Sequence, residues 1–204
     1  MVKQFAITGI GTDVGKTVVS SIVAEALKAT YWKPVQAGDL DKSDSIKVES
    51  YTSNVKVLEE AYRLSEPMSP HAAAEIDGMT ISLAKLKLPQ VDSSFIVEGA
   101  GGLMVPLDND GLTFADAIVS WGLPTIIVSR HYLGSINHSL LTAEVLKSKG
   151  IKIAGFVFVG DENKATESII LKHTGIRMIG RIPISEKLDK NFIASQAEKI
   201  RSQL

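Results

Sequence analysis

The chain contains no cysteine among its 204 residues, which excludes disulfides, thiol nucleophiles and thiolate metal sites. An excess of charge is also lacking, because 22 lysines and arginines are balanced by 23 aspartates and glutamates, for a formal net charge of −1. This balance gives no general attraction to nucleic acid or to acidic membranes, so the expected partners are small molecules. No run approaches the roughly 18 apolar residues of a membrane span. We therefore expect a soluble, cytoplasmic protein.

Apolar residues make up 45% of the chain and charged residues 22%, which is an ordinary globular composition. No repeat, low-complexity tract or interdomain linker divides the chain, so we expect one domain over residues 1–204. Short β-branched runs alternate with longer helical patterns. This alternation predicts an α/β fold, with a mostly parallel sheet flanked by helices on both faces.

The pattern predicts six strands, at residues 3–8, 31–35, 94–97, 125–128, 152–159 and 178–182. Helices are predicted at residues 16–29, 43–51, 113–121, 136–149, 165–173 and 191–204. Ligands of open parallel sheets bind beyond the carboxyl ends of the strands. Polar motifs at those ends are therefore the candidates for function.

Residues 9–17, which follow the first predicted strand and open the first helix, have the features of a phosphate-binding loop. The backbone N–H groups of such a glycine-rich turn point at one spot, and the helix N-terminus adds positive potential. Lys16 can reach the β- and γ-phosphates, and Thr17 can ligate Mg²⁺. The leading glycine is Gly9, so the loop is one residue longer than the usual spacing. The segment favours a nucleoside triphosphate site over a plain tight turn.

Three further charged residues lie at or near predicted strand ends. Glu98 precedes a glycine-rich segment, a Walker-B-like position where a carboxylate can meet Mg²⁺; the alternative is a surface acid. Asp44 is a second candidate metal ligand, although Ser43 or Asp44 could instead cap the next helix. Lys33 ends a strand before a proline, where a rigidly held ammonium can neutralise charge during phosphoryl transfer; the alternative is an idle, solvated lysine.

A fourth motif, Gly134-Ser135-Ile136-Asn137, opens a predicted helix after the fourth strand. Its backbone N–H groups could hold a substrate carboxylate, or the segment could be no more than a helix cap. The four histidines of the chain have no metal-ligand spacing, and none is assigned a catalytic role.

Taken in order, the motifs of this chain resemble those of the dethiobiotin synthetase family. The matching blocks span most of the chain and lie at residues 9–17, 33–35, 43–44, 66–71, 97–102 and 133–138. The longer phosphate loop is that family's own variant. The resemblance implies a homodimeric P-loop enzyme of biotin biosynthesis that requires ATP and Mg²⁺. It implies a ligase that uses CO₂ to close a cyclic urea across the two amines of 7,8-diaminopelargonate, through a carbamate and a carbamic-phosphoric anhydride.

The resemblance also implies roles for individual residues. The ATP site would comprise Asp13, Val14, Gly15, Lys16, Thr17, Val18, Asp44, Glu98, Gly99, Ala100, Gly101, Ile182 and Pro183. Mg²⁺ would be held by Thr17, Asp44 and Glu98, and the catalytic residues would be Lys33, Lys16 and Thr12. The diamine would contact Thr12, Lys33, Ala37, Gly134, Ser135, Ile136 and Asn137, of which the last four come from the neighbouring subunit. Some relatives carry a serine in place of Ala37.

Three alternatives remain beside this interpretation. A cobyrinate-type amide ligase usually carries a glutamine-hydrolysing domain, which we do not expect in these 204 cysteine-free residues. A partition-type switch ATPase carries Lys-Gly-Gly in its phosphate loop, where this chain has Gly11-Thr12-Asp13. A binding module without catalysis would leave Lys33 dispensable. The residues favour the ligase.

Overall fold

A computed structural model describes residues 2–204 of the chain. Its strands are β1 Gln4–Gly9, β2 Thr30–Trp32, β3 Val35–Ala37, β4 Lys56–Leu58, β5 Tyr62–Leu64, β6 Phe95–Gly102, β7 Thr125–Arg130, β8 Ile153–Val159 and β9 Met178–Ile182. Its α-helices are α1 Lys16–Leu27, α2 Asp44–Tyr51, α3 Pro70–Ile76, α4 Phe114–Trp121, α5 Ser135–Ser148, α6 Lys164–Thr174 and α7 Lys190–Ile200. Short 3-10 helices occupy Leu40–Lys42 and Arg201–Gln203.

The main sheet contains seven parallel strands in the order β4-β2-β6-β1-β7-β8-β9. Consecutive residues of the central strands are buried, including Ala6, Ile7 and Thr8 of β1, so both faces of the sheet are covered. Helix α1 packs on α2 and α7, and α5 packs on α6. The predicted α/β class, a parallel sheet flanked by helices, is confirmed. Strand β1 lies at the centre and delivers the phosphate loop to the middle of the carboxyl edge.

A second, two-stranded parallel sheet is formed by β3 and β5. The prediction of one strand over residues 31–35 is therefore wrong, because the chain leaves the main sheet after Trp32 and joins the small sheet at Val35. Pro34 lies at the break, where its missing N–H removes a donor from the ladder. Lys33 is consequently placed at the junction of the two sheets, with only 3% of its surface exposed.

Strands β4 and β5 and helix α3 were not predicted by the sequence pattern. Each of the two strands has only three residues, too few to show an alternation. Helix α3 begins at Pro70, which suits the first helical position because its missing N–H has no partner there in any case. In the described residues 2–204, no helix is long and apolar enough to cross a bilayer.

The start of α2 decides between the two roles that the sequence left open for Ser43 and Asp44. Ser43 is the N-cap, and its Oγ accepts a hydrogen bond from the backbone N–H of Ile46 at 3.3 Å. Asp44 is the first residue of the helix and is not needed as the cap. Its carboxylate is therefore available to the site at the edge of the sheet.

Candidate active site

The phosphate loop follows β1 and closes tightly on itself before α1. A Cβ on Gly9 would lie 2.6 Å from the Cγ2 of Val14, so only glycine fits where the loop returns to its start. Gly15 has a φ of 94°, and Asp13 has a φ of 56°. These left-handed conformations turn the backbone before Lys16, which begins α1. The segment has the form expected of a loop whose N–H groups converge on an anion.

Lys16 extends back across the loop rather than into solvent. Its Nζ donates a hydrogen bond to the carbonyl oxygen of Gly11 at 2.9 Å, and its surface is 8% exposed. Burial and the neighbouring Lys33 ammonium lower the pKa of Lys16 to about 8, against the opposing attraction of Glu98 and Asp44. Lys16 is thus a partly desolvated ammonium that lacks a carboxylate partner of its own.

The glycine-rich end of β6 packs directly against the phosphate loop. A Cβ on Gly102 would lie 3.5 Å from the Cα of Gly11, and one on Gly101 would lie 3.6 Å from the Oγ1 of Thr12. Gly101 also has a φ of 60°, a conformation that favours glycine. The phosphate loop and the end of β6 therefore form one continuous surface, and Thr12 lies where they meet.

Lys33 joins the two candidate metal ligands. Its Nζ lies 2.7 Å from Oδ2 of Asp44 and 3.0 Å from Oε1 of Glu98, and it donates a third hydrogen bond to the Gly99 carbonyl at 3.0 Å. Burial opposes the charge on Lys33, but Glu98 and Asp44 outweigh it and hold the pKa of Lys33 above its ordinary value. Burial likewise opposes the charge on Asp44, and the Lys33 ammonium overcomes it and lowers the pKa of Asp44 to about 2. Lys33 and Asp44 are therefore both charged at neutral pH.

Glu98 lies behind Lys33 with none of its surface exposed. Thr17 donates its hydroxyl to Oε1 of Glu98 at 3.1 Å, and the Tyr31 phenol donates to Oε2 at 3.0 Å. A carboxylate this deeply buried is tolerated because it accepts hydrogen bonds from three donors, one of which is the Lys33 ammonium. Glu98 is therefore not the surface acid of the alternative interpretation.

The oxygen-bearing side chains around Lys33 suit Mg²⁺ as ligands. They are one hydroxyl, from Thr17, and two carboxylates, from Asp44 and Glu98, which are the hard oxygen ligands that Mg²⁺ binds when phosphates complete its coordination. The ammonium of Lys33 already lies between the two carboxylates, so this position attracts a cation. Within residues 2–204 no cluster combines three or more His, Cys, Asp or Glu side chains. Phosphate oxygens and water would complete the coordination of Mg²⁺.

A cavity of about 850 Å³ opens over the loop, Lys33 and Asp44. The predicted site residues that line it are Thr12, Asp13, Gly15, Lys16, Thr17, Val18, Lys33, Ala37, Asp44, Ala100 and Gly101. Residues 67–70, from the Pro-rich block of the family resemblance, also line the cavity. The structure thus gathers five of the six sequence blocks around one cavity.

Other predicted site residues lie away from the cavity wall. Val14 is buried beneath the loop, and Gly99 contributes its carbonyl oxygen to Lys33. Ile182 is buried at the end of β9, and neither it nor Pro183 lines the cavity, so their contact with a nucleotide stays a prediction.

Gly134, Ser135, Ile136 and Asn137 also lie outside the cavity lining. Gly134 is the N-cap of α5 and has no side chain with which to cap the helix. The first turn of α5 is therefore left without a side-chain partner for its N–H groups. These four residues do not join the site within one copy of the chain.

Two residues that the sequence analysis missed help to build the site. Gln36 accepts a hydrogen bond from the Asp44 N–H at 3.1 Å and donates to the Gly38 carbonyl at 2.8 Å, so it fixes the start of α2. Gln36 lies three residues after Lys33, and this closeness could have marked it as a site residue. Arg130 donates to the Asp13 carbonyl at 3.3 Å, but the predicted strand ended two residues before it. Both line the cavity.

Comparison with known proteins places the chain among nucleotide-binding folds. A family model described as an AAA domain matches residues 3–191. A putative plasmid partition protein from Borrelia burgdorferi, solved bound to AMPPNP, superposes with a TM-score of 0.63 at 13% identity, over 99% of this chain and 97% of that one. The cell division ATPase MinD of Pyrococcus furiosus superposes with a TM-score of 0.59 at 16% identity over the full length of both. At these identities the likeness shows the fold alone.

Closer relatives share the sequence as well. A protein from Christiangramia forsetii is 52% identical over 206 residues, which cover 100% of this chain and 99% of its own. Another from Cytophaga hutchinsonii is 46% identical over 201 residues, which cover 97% of each chain. Both are named ATP-dependent dethiobiotin synthetase BioD. Identity at this level over nearly the whole length of both chains shows that the chain belongs to the ATP-dependent dethiobiotin synthetase family.

Proposed function

We propose that the chain, as a single domain over residues 1–204, carboxylates 7,8-diaminopelargonate and closes it to dethiobiotin with ATP and CO₂. The observation that carries this proposal is the position of Lys33. Its ammonium joins Asp44 to Glu98 beside the phosphate loop, within one cavity that also has room for a second substrate. A protein that only binds a nucleotide has no need of a buried cation there. Full-length similarity to dethiobiotin synthetases supports the choice of substrate.

The proposed reaction has three stages. One amine of the substrate attacks CO₂, forms a carbamate and releases a proton. A carbamate oxygen then attacks the γ-phosphorus of ATP and displaces ADP, which gives a carbamic-phosphoric anhydride. The second amine attacks the carbonyl carbon of this anhydride, loses a proton and expels phosphate as the ring closes. Each stage places negative charge on oxygen, and fixed cations stabilise such charge.

The residues around the cavity suit these demands. Lys16 and the N–H groups of residues 13–18 would hold the phosphates, and Thr17, Asp44 and Glu98 would hold Mg²⁺. The bound ion would neutralise charge on the phosphate oxygens. Lys33 would then face the carbamate and the transferring phosphoryl group, while Thr12 lies where the loop meets β6 and would contact the diamine.

ADP release by the purified full chain tests this proposal. We expect little ATP hydrolysis with Mg²⁺ alone and a large increase when diaminopelargonate and bicarbonate are added together, because the phosphoryl acceptor forms only from both. Omission of either one is the control. Mass spectrometry of the product should give dethiobiotin. A background rate that the diamine leaves unchanged would reject the proposal.

The proposed enzyme is a homodimer in which each site borrows residues 134–137 from its partner. Support comes from the exposed apolar side chains on this side of the molecule, namely Met104, Tyr132, Leu133, Ile136 and Leu141. Tyr132, Leu133 and Ile136 lie at or just before the uncapped first turn of α5. Met104 and Leu141 line an apolar groove of about 370 Å³, to which His138 of the same helix also contributes. An exposed apolar surface suits a contact between two subunits. In such a dimer the N–H groups at the start of α5 could bind the carboxylate of a substrate held in the partner's cavity.

Mixing two inactive variants tests the shared site. Lys33→Ala disables the residues with which a subunit carries out phosphoryl transfer in its own cavity. Asn137→Asp places a negative charge where that subunit would bind its partner's substrate carboxylate. Each variant alone should be inactive. After the subunits are exchanged, half of the dimers are mixed and each holds one intact site, so about a quarter of wild-type turnover should return. A mixture that stays inactive while the subunits exchange contradicts a shared site.

A further inference from the structure

Tyr31 is a buried polar residue that none of the roles above uses. It is the middle residue of β2, and none of its surface is exposed. Its phenol donates a hydrogen bond to Oε2 of Glu98 at 3.0 Å. Burial and the charge of Glu98 raise the pKa of Tyr31 well above its ordinary value, so the phenol stays protonated and remains a donor.

The remaining contacts of Glu98 show why this bond matters. Oε1 accepts hydrogen bonds from Thr17 at 3.1 Å and from Lys33 at 3.0 Å. Both of these cavity-lining residues therefore bind the same oxygen of Glu98. Tyr31 holds the other oxygen from behind. Without the phenol, the carboxylate would be fixed at one oxygen and could rotate about its χ3 torsion, which is broad for glutamate.

We propose that Tyr31 is a positioning residue that orients Glu98 as a ligand for the divalent cation of the nucleotide complex. The inference rests on the proposed function for the role of Glu98 as a ligand. The phenol does not touch the cavity, so its effect on the ion passes through the carboxylate alone. Outer hydrogen bonds of this kind fix a ligand's orientation, and their loss typically weakens metal binding by about 10- to 100-fold.

The experiment compares Tyr31→Phe with a matched variant, Tyr62→Phe. Tyr62 is also buried and also bonds through its phenol, to the Thr80 carbonyl and the Ser82 N–H, but it contacts no carboxylate. The probe is Mn²⁺, titrated into each protein in the presence of ADP and followed by electron paramagnetic resonance of the free ion. We expect Tyr31→Phe to bind Mn²⁺ about tenfold more weakly. Tyr62→Phe should bind it like the wild type.

Two further measurements separate positioning from general damage. ADP affinity in EDTA should be the same for the wild type and Tyr31→Phe, because the phosphate loop does not depend on Tyr31. In a Glu98→Gln background, Tyr31→Phe should cause no further loss of Mn²⁺ affinity, since the group that it orients is already neutral. Unchanged Mn²⁺ affinity in Tyr31→Phe, or an equal loss in Tyr62→Phe, would overturn the inference.

Failure of this inference is distinguishable from failure of the proposed function. Diamine-dependent ADP release by the wild-type protein tests the function and does not involve Tyr31. If the diamine has no effect while Tyr31→Phe still weakens Mn²⁺ binding, the proposed reaction is wrong and the positioning role stands. If the diamine stimulates ADP release and Mn²⁺ binding is unaffected by Tyr31→Phe, the positioning role is wrong.

Discussion

Lys33→Ala is expected to abolish diamine-dependent ADP release, with a loss of at least about 10²–10³-fold in kcat, the scale seen when one preorganised charge-stabilising group is removed. The Lys33 ammonium contacts Asp44, Glu98 and the Gly99 carbonyl, so no other side chain can take its position. Nucleotide affinity should change far less, because Lys16 and the loop backbone remain. A loss confined to kcat identifies an interaction made mainly in the transition state.

The same substitution should lower the stability of the ligand-free protein. Asp44 and Glu98 would lose the cation between them, and an uncompensated buried charge typically costs about 3–5 kcal/mol. The cost should be smaller here, because Asp44 is 20% exposed and the cavity admits water. Mg²⁺ with ADP should restore much of the melting temperature by supplying another cation. Thermal unfolding in EDTA and in Mg²⁺·ADP, followed by circular dichroism, measures both effects.

Lys47→Ala is the matched control for Lys33→Ala. The Lys47 ammonium lies 3.6 Å from Oδ1 of the same Asp44, but its side chain is 38% exposed. A pair in that setting contributes at most about 1 kcal/mol. We expect kcat to fall far less in Lys47→Ala than in Lys33→Ala. Full activity of Lys33→Ala would remove Lys33 from the mechanism, and equal losses in both variants would point to a general electrostatic effect.

The parallel sheet and the phosphate loop could be predicted from the sequence because their signals are local. β-branched runs alternate with helical patterns, and the glycine-rich segment from Gly9 to Lys16 and Thr17 lies at a strand-to-helix junction. The path of the chain around Lys33 was harder to predict. Pro34 was visible in the sequence, but its consequence, a strand divided between two sheets, depends on a β5 partner that has only three residues.

The hydrogen bonds around Glu98 lie beyond a sequence pattern. Tyr31 occupies a β-branched and aromatic stretch where a tyrosine ordinarily packs in the core, and no local feature shows that its phenol meets a carboxylate 67 positions later. Gln36 fixes Asp44 across a turn whose shape depends on the 3-10 helix Leu40–Lys42. These contacts join distant segments, so only the three-dimensional arrangement reveals them.

Nucleotide affinity is expected to fall by roughly tenfold between pH 7.5 and pH 9, through the titration of Lys16. Its pKa of about 8 in the ligand-free protein, lowered from 10.5, means that a growing fraction is neutral above pH 8. Bound phosphates restore the ammonium by supplying the negative charge that the free loop lacks. Binding must therefore take up a proton in this pH range, and the apparent dissociation constant rises with pH.

Calorimetric titration of ADP in two buffers of different ionisation enthalpy measures both the affinity and the protons taken up. Lys16→Arg is the control, because a guanidinium stays charged throughout this range. If the variant binds ADP, its affinity should not change with pH. An affinity of the wild-type protein that stays flat from pH 7.5 to pH 9 would show that Lys16 does not titrate there.

The stability of the ligand-free protein should change with pH in the opposite direction. The folded-state pKa of Lys16 lies below its unfolded value, so the charged form favours unfolding, by an amount of the order of 3 kcal/mol for a shift from 10.5 to about 8. This contribution is fully present below pH 8 and is progressively relieved as the pH rises toward 10.5. Nucleotide binding at neutral pH removes the same penalty, since the phosphates pair with the ammonium that burial disfavours. We expect the stability of the ligand-free wild type to rise with pH while its nucleotide affinity falls. The stability of Lys16→Met should not rise in this way. This combination would show that Lys16 causes both pH effects.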